Sequence, residues 1–265
     1  MNELSRALRL AISALATVVL ALGSSTAPLR AQAPPPGRFD TAQILRDERQ
    51  RSAQEALLSD WASLSRYRRA NDSQPAPKPG ESRVVYIGDS ITESWAGYFP
   101  ALFPGRPYIG RGISGQTTPQ MLVRFRQDVV TLKPKVVVIL AGTNDIAGNT
   151  GPSSLAMIEH NLASVAEIAR ANGIRVVLSS VLPAYAYPWK RGLHPAPKIS
   201  ALNSWIRRYS EQTGAVYLDY HRAMIDSRGG LRAELTTDGV HPNAAGYGVM
   251  APLAEEAIAK ALRLP

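Results

Sequence analysis

The sequence contains no cysteine, which excludes thiol nucleophiles, cysteine-ligated zinc and a lipid anchor attached through a cysteine. Disulfide bonds are excluded as well, so the fold depends on its core, and a chain of 265 residues can bury one of sufficient size. Because an oxidising compartment permits disulfides without requiring them, the lack of cysteine is compatible with export from the cell.

An apolar run that could span a membrane is also lacking. The N-terminal run, residues 10–22, has about 13 residues, whereas a membrane-spanning helix needs about 20. Two arginines precede it, and Ala-Gln-Ala at 31–33 is typical of a cleavage site, so residues 1–33 are predicted to be a secretory signal peptide. We expect a secreted or periplasmic protein with no membrane insertion after cleavage. An uncleaved anchor is the alternative.

Charge is unevenly balanced, with 30 lysines and arginines against 21 acids and a formal net charge of +9. Such a protein can favour anionic surfaces. However, the sequence has no lysine-arginine run and no aromatic nucleic-acid signature. The densest basic cluster, Arg66, Arg68 and Arg69, falls at the end of a predicted helix, where solvation explains it. We therefore expect no nucleic-acid partner.

The segment before the core, residues 34–80, is predicted to be a linker and one helix. Residues 34–36 are three prolines, and residues 40–70 repeat apolar positions at helical spacing. We interpret this helix as an addition packed on the core and not as a second domain. Prolines then break the chain ahead of the core: Pro75, Pro77 and Pro79.

Residues 81–265 alternate apolar strand-like runs with helical patterns. Such alternation predicts an α/β fold with a parallel sheet covered on both faces. Ligands bind beyond the carboxyl ends of the strands in sheets of this kind. The predicted strands are residues 83–88, 107–110, 135–142, 174–181 and 215–220. The predicted helices are residues 123–132, 153–172, 199–213 and a last one that begins after 242.

Four short motifs carry the chemistry: Gly-Asp-Ser at 88–90, Gly-Ile-Ser-Gly at 112–115, Gly-Thr-Asn at 142–144 and Asp-Gly-Val-His-Pro at 238–242. A serine becomes a nucleophile when a histidine takes its proton, and a carboxylate that holds the other ring nitrogen improves that base. Backbone N–H groups in a glycine-rich loop and an asparagine amide could bind an oxyanion.

Each motif taken alone has a simpler explanation. Asp89 or Ser90 could merely cap a helix, the glycine loop could be a plain turn, and Asn144 could bond its own backbone. The last motif could be a surface loop. One histidine with one carboxylate makes a poor metal site, so we expect no metal. Thr92 replaces the second glycine of Gly-x-Ser-x-Gly, which disfavours the α/β-hydrolase elbow.

In combination, the motifs resemble the SGNH hydrolases, also called GDSL-type esterases and lipases. The resemblance rests on IGDSIT at 87–92, GRGISGQTT at 110–118, AGTNDI at 141–146 and DGVHPN at 238–243. It covers roughly residues 83–262. Isoleucine stands where the family name has leucine, and Gln116 stands where aspartate is common. The resemblance implies a flavodoxin-like three-layer α/β/α fold and ester hydrolysis through an acyl-serine, without a cofactor.

The resemblance also implies a role for each motif residue. Ser90 would be the nucleophile, His241 the general base and then acid, and Asp238 the group that orients the imidazole. The backbone N–H groups of Ser90 and Gly115 and the side-chain amide of Asn144 would form the oxyanion hole. The chain's other histidines, at positions 160, 194 and 221, are not expected to be catalytic.

The loop at residues 182–198 follows a predicted strand end and is therefore expected to border the site. Its aromatic residues Tyr185, Tyr187 and Trp189 could stack on a sugar ring or an acyl group, or could simply pack the loop. We favour removal of short acyl groups, O-acetyl above all, from carbohydrate or similar polar carriers. A lysophospholipase or thioesterase, or a catalytically silent carbohydrate-binding protein, are the alternatives. The sequence does not indicate an oligomeric state.

Overall fold

The computed structural model describes residues 40–264, so the predicted signal peptide lies outside the described residues. The chain divides into two units, residues 1–48 and 49–265. In the described part of the first unit, the side chain of Asp40 accepts hydrogen bonds from the N–H groups of Ala42 and Gln43 at 3.0 and 3.2 Å. These bonds satisfy N–H groups at the start of helix α1 (Thr41–Ser59), which continues into the second unit.

The prediction of one helix over residues 40–70 is wrong. Helix α1 ends at Ser59, turns follow, and a short helix α2 occupies Arg68–Asp72. The carboxylate of Asp60 accepts hydrogen bonds from the backbone N–H groups of Leu64 and Ser65 at 2.7 and 2.8 Å. These bonds offer the backbone an alternative to helical pairing, so the helix stops. The side chains of α1 that the structure describes are all exposed.

A five-stranded parallel sheet forms the centre of the second unit, which confirms the predicted fold class. The strand order is β2-β1-β3-β4-β5, which is a doubly wound order. Successive strands are added on one side of β1 and then on the other, so the order of winding reverses between β1 and β3. The valine and isoleucine runs of β1 and β3 are buried along their whole length, as expected for strands covered on both faces. The strands are β1 (Val84–Gly88), β2 (Tyr108–Gly112), β3 (Val136–Leu140), β4 (Arg175–Ser179) and β5 (Val216–Leu218).

Two layers of helices bury the two faces of the sheet. Successive strand residues point to opposite faces, so Val85 and Ile87 join one apolar cluster while Val84 and Tyr86 join the other. The first cluster contains residues of helices α5 (Thr118–Asp128), α7 (Leu155–Ala171) and α8 (Ala196–Thr213). The second contains residues of α3 (Ser90–Ala96), α4 (Phe99–Leu102), α9 (Tyr220–Met224) and α10 (Ala244–Arg263). The three-layer α/β/α architecture is therefore as predicted.

One helix was predicted with the wrong boundaries. The expected helix at residues 123–132 begins at Thr118 and ends at Asp128, followed by a 3₁₀ turn, Val130–Leu132. Its true start is a capping box in which the side chains of Thr117 and Gln120 bond reciprocally to the backbone. None of the helices between residues 40 and 264 has the length and apolar character needed to cross a membrane.

Candidate active site

Ser90 and Asn144 follow the two strands that flank the reversal point of the sheet. After β1, the carboxylate of Asp89 accepts a hydrogen bond from the N–H of Ile91 at 3.0 Å and caps α3, whose first residue is Ser90. After β3, Asn144 lies in the short helix α6 (Thr143–Ala147). Because both helices start immediately beyond a strand, both side chains lie at the carboxyl edge, where ligands bind in such sheets.

Asp238 and His241 lie together in a tight loop ahead of α10. One carboxylate oxygen of Asp238 accepts hydrogen bonds from the N–H groups of Val240 and His241 at 3.0 and 2.8 Å. The other oxygen lies 2.7 Å from Nδ1 of His241. Gly239 adopts a φ of +85°, which glycine tolerates because it has no Cβ. The carboxylate thus holds both the backbone and the ring of the histidine.

The imidazole of His241 connects this loop to the serine, with Nε2 at 2.8 Å from Oγ of Ser90. An ionised carboxylate can only accept, so Nδ1 must carry the hydrogen and Nε2 is left to accept from the serine hydroxyl. Burial opposes ionisation of Asp238, but hydrogen bonds from His241 and Val240 outweigh it and lower the pKa of this carboxyl. The three side chains therefore form one continuous chain of hydrogen bonds.

The three oxyanion donors expected from the sequence each retain a hydrogen for a ligand. Ser90 is the first residue of α3, so its N–H has no acceptor within the helix. Gly115 adopts a φ of +77°, and its N–H has no acceptor among residues 40–264. The Asn144 Nδ2 group donates one hydrogen to the carbonyl of Gln116 at 3.0 Å, which leaves its second hydrogen free.

The orientation of the Asn144 amide follows from its neighbours. The indole Nε1–H of Trp189 can only donate, and it donates to Oδ1 of Asn149 at 3.2 Å. Nδ2 of Asn149 therefore faces Asn144 and donates to its Oδ1 at 2.8 Å, and also to the carbonyl of Gly115 at 3.3 Å. Asn144 must then direct its own Nδ2 towards the carbonyl of Gln116. With both amides in this orientation, each side-chain nitrogen in the series from Trp189 to Gln116 donates to an oxygen atom.

The aromatic residues of the 182–198 loop differ in their surroundings. The ring of Trp189 lies 6.2 Å from the ring of His241, and the residue is 42% exposed, so a ligand can reach it. Tyr187 is 1% exposed and its ring stacks on that of Trp189 at 5.1 Å, so in this structure its ring packs the loop, the second of the two roles considered from the sequence. Tyr185 is exposed and packs near Arg228, whose guanidinium lies 5.9 Å from the tyrosine ring.

A buried arginine supports the strand that precedes the serine, and sequence reasoning missed it. The guanidinium of Arg124 donates to the carbonyl of Gly88 at 3.0 Å and to Oε1 of Gln116 at 2.6 Å, and it pairs with Asp128 at 2.9 Å. Burial lowers the pKa of this guanidinium, while the charge of Asp128 opposes that effect. Gln116, which occupies a position where the family often has aspartate, therefore bonds an arginine.

Asn149 was also missed, because an asparagine in a loop five residues after Asn144 gives no local signal of its contacts. Of the histidines set aside from the sequence, His160 and His194 are exposed. His221 is half-buried at the start of α9, where its backbone N–H donates to Ser180 Oγ at 2.8 Å. None of these three has a described hydrogen bond to Ser90 or Asp238.

A parallel sheet with a serine, a histidine and an aspartate joined by hydrogen bonds at its carboxyl edge defines a class of protein, the serine hydrolases with a flavodoxin-like core. The sequence model of the GDSL-like lipase/acylhydrolase family matches residues 86–249. The chain belongs to that family, as predicted, and is a carboxylic ester hydrolase.

Several relatives of the chain have names of ester hydrolases. A GDSL-like lipase of known structure from Bacteroides thetaiotaomicron is 45% identical, and the match covers 76% of this chain and 100% of that chain with a TM-score of 0.74. Esterase TesA from Pseudomonas aeruginosa is 27% identical over 70% of this chain and 88% of its own length. An acetylxylan esterase from Geobacillus stearothermophilus is 22% identical over 68% of this chain and 85% of its own.

Proposed function

We propose that the chain is an exported serine esterase that removes short acyl groups, O-acetyl above all, from carbohydrate or similar polar carriers. The observation that supports the chemistry best is the hydrogen-bond chain from Ser90 Oγ through both ring nitrogens of His241 to the carboxylate of Asp238. In this proposal Ser90 is the nucleophile, His241 the base and acid, and Asp238 the group that holds the imidazole.

In the first half of the reaction, Ser90 Oγ forms a bond to the carbonyl carbon of the ester as its proton moves to Nε2 of His241. The imidazolium is stabilised by Asp238. The carbonyl π electrons move to the oxygen, which becomes an oxyanion. When that tetrahedral intermediate collapses, the bond to the alcohol oxygen breaks and His241 returns the proton to the departing alcohol. The product is an acyl-serine.

The second half repeats these steps with water in place of the serine hydroxyl. His241 takes a proton from the water, whose oxygen bonds to the acyl carbon, and then returns that proton to Ser90 Oγ as the carboxylic acid departs. In both halves, the N–H groups of Ser90 and Gly115 and the Asn144 amide would donate to the oxyanion. Such donors stabilise charge that exists only near the transition state, so they accelerate the reaction.

The choice of a short acyl group on a polar carrier is supported by one exposed side chain. Trp189 lies beside His241 and presents part of its ring to solvent, and indole rings stack well on the apolar faces of sugars. The similarity to an acetylxylan esterase is in keeping with this choice. Export, predicted from residues 1–33, would bring the enzyme to extracellular polysaccharide or to esters of the cell envelope.

The test of the mechanism is Ser90→Ala, which should abolish hydrolysis of nitrophenyl acetate without changing the far-ultraviolet circular dichroism. Ser94→Ala is the matched control, because Ser94 is exposed on the same helix one turn further along. A fluorophosphonate should add its phosphonyl mass to the wild type and to Ser94→Ala, but not to Ser90→Ala. Hydrolysis by Ser90→Ala at the wild-type rate would refute the assignment of the nucleophile.

The test of the substrate class is a series of nitrophenyl esters from two to sixteen carbons, together with acetylated xylan and pectin. We expect kcat/KM to be highest for acetyl and acetate to be released from at least one polysaccharide. We also expect Trp189→Ala to raise KM for the polysaccharide more than for nitrophenyl acetate. A maximum at long chains would instead favour a lysophospholipase or thioesterase. Saccharide binding with neither hydrolysis nor labelling would indicate a carbohydrate-binding protein.

A further inference from the structure

Residues 60–72, which we name the N-terminal brace, lie outside the 86–249 range matched by the family. They contact the loop at residues 112–116. We call this loop the oxyanion loop, because it contains the Gly115 N–H group. The brace begins where α1 ends and includes α2. The carboxylate of Asp60 stabilises its turns by accepting hydrogen bonds from the backbone N–H groups of Leu64 and Ser65. Ser63, at a φ of +54°, is one of its residues.

One contact from the brace reaches the residue just before Gly115. The guanidinium of Arg66 donates to one oxygen of Glu93 at 3.0 Å. The other oxygen of Glu93 accepts the backbone N–H of Ser114 at 2.9 Å and also its hydroxyl. Burial opposes ionisation of Glu93, but the hydrogen bonds from Ser114 and Arg66 prevail and lower the pKa of this carboxyl. An ionised carboxylate thus joins Arg66 to the oxyanion loop.

A second contact holds the start of the oxyanion loop. The hydroxyl of Tyr67 donates to the backbone carbonyl of Gly112. The guanidinium of Arg111 lies 4.8 Å from the centre of the Tyr67 ring, and that of Arg66 lies 5.2 Å from it. Cations over an aromatic face are attracted to it, so these two arginines restrict the ring that bonds Gly112.

A third contact holds the end of the loop. The side-chain amide of Gln116 donates to the backbone carbonyl of Ala62 at 2.8 Å. The backbone carbonyl of Gln116 in turn accepts a hydrogen bond from the side-chain amide of Asn144, which is another of the three expected oxyanion donors. The brace therefore bonds the oxyanion loop directly at Gly112 and Gln116, on either side of Gly115, and through Glu93 at Ser114.

We infer that residues 60–72 position the oxyanion loop, so that the N–H of Gly115 and the amide of Asn144 are held where the developing oxyanion will bond them. This inference rests on the proposed function. Arg66 and Tyr67 are positioning residues, because they act through Glu93, Ser114 and Gly112 and not on the substrate. Donors displaced by a fraction of an ångström bind a transition state less well, while substrate binding changes little.

The test compares a brace variant with a matched control elsewhere on the surface. The brace variant is Tyr67→Phe combined with Arg66→Gln. The control is Tyr108→Phe combined with Arg106→Gln, because Tyr108 and Arg106 bond Glu255 much as Arg66 bonds Glu93. The arginine and glutamate side chains are 53% and 27% exposed in the brace pair and 57% and 30% exposed in the control pair.

For nitrophenyl acetate, we expect the brace variant to lose about tenfold in kcat with KM within about twofold of the wild type. This loss is smaller than the loss on removing an oxyanion donor outright, which is on the order of 100- to 1000-fold. The control should stay within about twofold in both constants, and the melting temperatures of the two variants should fall by similar amounts. Arg66→Lys, which keeps the charge beside Glu93, should retain more kcat than Arg66→Gln.

Equal kcat values for the brace and control variants would overturn the inference, and so would a rise in KM with kcat unchanged. The proposed function fails in a distinguishable way. If the wild type hydrolyses no ester, or if Ser90→Ala remains active, the proposed mechanism is wrong. If the wild type is active, Ser90 is required and the brace variant is fully active, only the role of residues 60–72 is wrong.

Discussion

Asp89 stands next to Ser90 with its carboxyl group almost wholly buried, at 1% exposure. Burial raises the pKa of this group to about 6, and the nearby charge of Asp145 adds to the shift, while the N–H of Ile91 and the charge of His241 oppose it. The folded protein therefore holds a proton on Asp89 more tightly than the unfolded chain does. Ionisation of this group costs stability at neutral pH, a cost that the folded protein tolerates beside the proposed nucleophile.

We predict that Asp89→Asn raises the free energy of unfolding at pH 8 by up to about 3 kcal/mol. Asparagine can still accept the N–H of Ile91. The folded pKa is raised above the unfolded value, so the gain should be absent below about pH 4, grow between pH 4 and 6, and be complete above that range. Urea unfolding at pH 4 and pH 8 measures it. Equal stability of wild type and variant at pH 8 would contradict the prediction.

Asp226→Asn is the control of opposite sign. Hydrogen bonds from the backbone N–H groups of Gly230 and Arg228 lower the pKa of Asp226, so its ionised form stabilises the folded state. That stabilisation is present above the unfolded pKa and is lost as the pH falls through the folded one. Asp226→Asn should therefore lower stability at pH 8 and have little effect at the acid end of the range.

The amide series from Trp189 to Asn144 gives a second prediction at the scale of single residues. Asn149→Asp replaces the amide with a carboxylate that has no hydrogen to donate, so Asn144 would turn its Nδ2 towards the new carboxylate and present an oxygen to the oxyanion. We expect Asn149→Asp to lower kcat on the order of 100-fold, and Asn149→Ala to lower it less. Thr150→Asp, at a neighbouring exposed position, controls for the added charge. Equal loss in Asn149→Asp and Thr150→Asp would exclude amide reversal.

At the scale of secondary structure, the carboxyl end of β2 packs directly against the first turn of α3. A Cβ atom on Gly112 would lie 2.1 Å from the backbone nitrogen of Glu93 and 2.6 Å from the carbonyl oxygen of Asp89. Backbone atoms cannot move aside as a flexible side chain can. The absence of a side chain at position 112 is therefore what allows the helix that begins with Ser90 to approach the sheet.

We predict that Gly112→Ala destabilises the protein by about 3 kcal/mol or more, since overpacking against backbone forces the helix to shift. Ester hydrolysis should fall with it, because Ser90 moves with α3. Gly248→Ala is the comparison: Gly248 lies in α10, and beyond the adjacent backbone of its own helix no atom lies within 4 Å of its Cβ position. Alanine should stabilise that helix by about 1 kcal/mol. Thermal unfolding of both variants and kcat of each measure the difference. A neutral Gly112→Ala would show that α3 can move without cost.

At the scale of the whole molecule, the site is assembled from residues far apart in the chain. The sheet order places the ends of β1 and β3 next to each other, and the loop ahead of α10 brings His241 to the same edge. Ser90 and His241 are separated by 151 positions, yet their side chains form a hydrogen bond. All the residues of the candidate site lie within residues 49–265.

We predict that a chain starting at Asp40 retains the kcat/KM of the full-length protein, because every residue assigned to the candidate site lies after that position. A chain that starts after Asp72 should lose about tenfold or more in kcat, since it lacks the N-terminal brace. Steady-state kinetics with nitrophenyl acetate and circular dichroism of both proteins test this. Full activity without residues 60–72 would contradict the positioning role.

The motif residues could be predicted from the sequence because each motif is local. The Gly-Asp-Ser run follows an apolar strand, and three positions separate Asp238 from His241, so both features can be read from adjacent residues. The helix at residues 40–70 was predicted wrongly because the apolar spacing continues through Asp60, whose side chain bonds the backbone instead. Tyr187 looked like its neighbour Trp189, and nothing in the sequence separates the buried ring from the exposed one.

The sequence by itself determined the family and the parallel α/β core, and it pointed to the serine, histidine and aspartate that the fold joins by hydrogen bonds. Strand pattern and motif spacing are properties of neighbouring residues, so they can be read without the fold. Only the tertiary structure decided which groups support them: Arg124 under Gly88, Asn149 beside Asn144, and Arg66 and Tyr67 against the oxyanion loop. These contacts join segments tens of positions apart. A hydrogen bond between distant residues depends on the direction in which each side chain leaves the folded backbone, and no local pattern of residues records that direction.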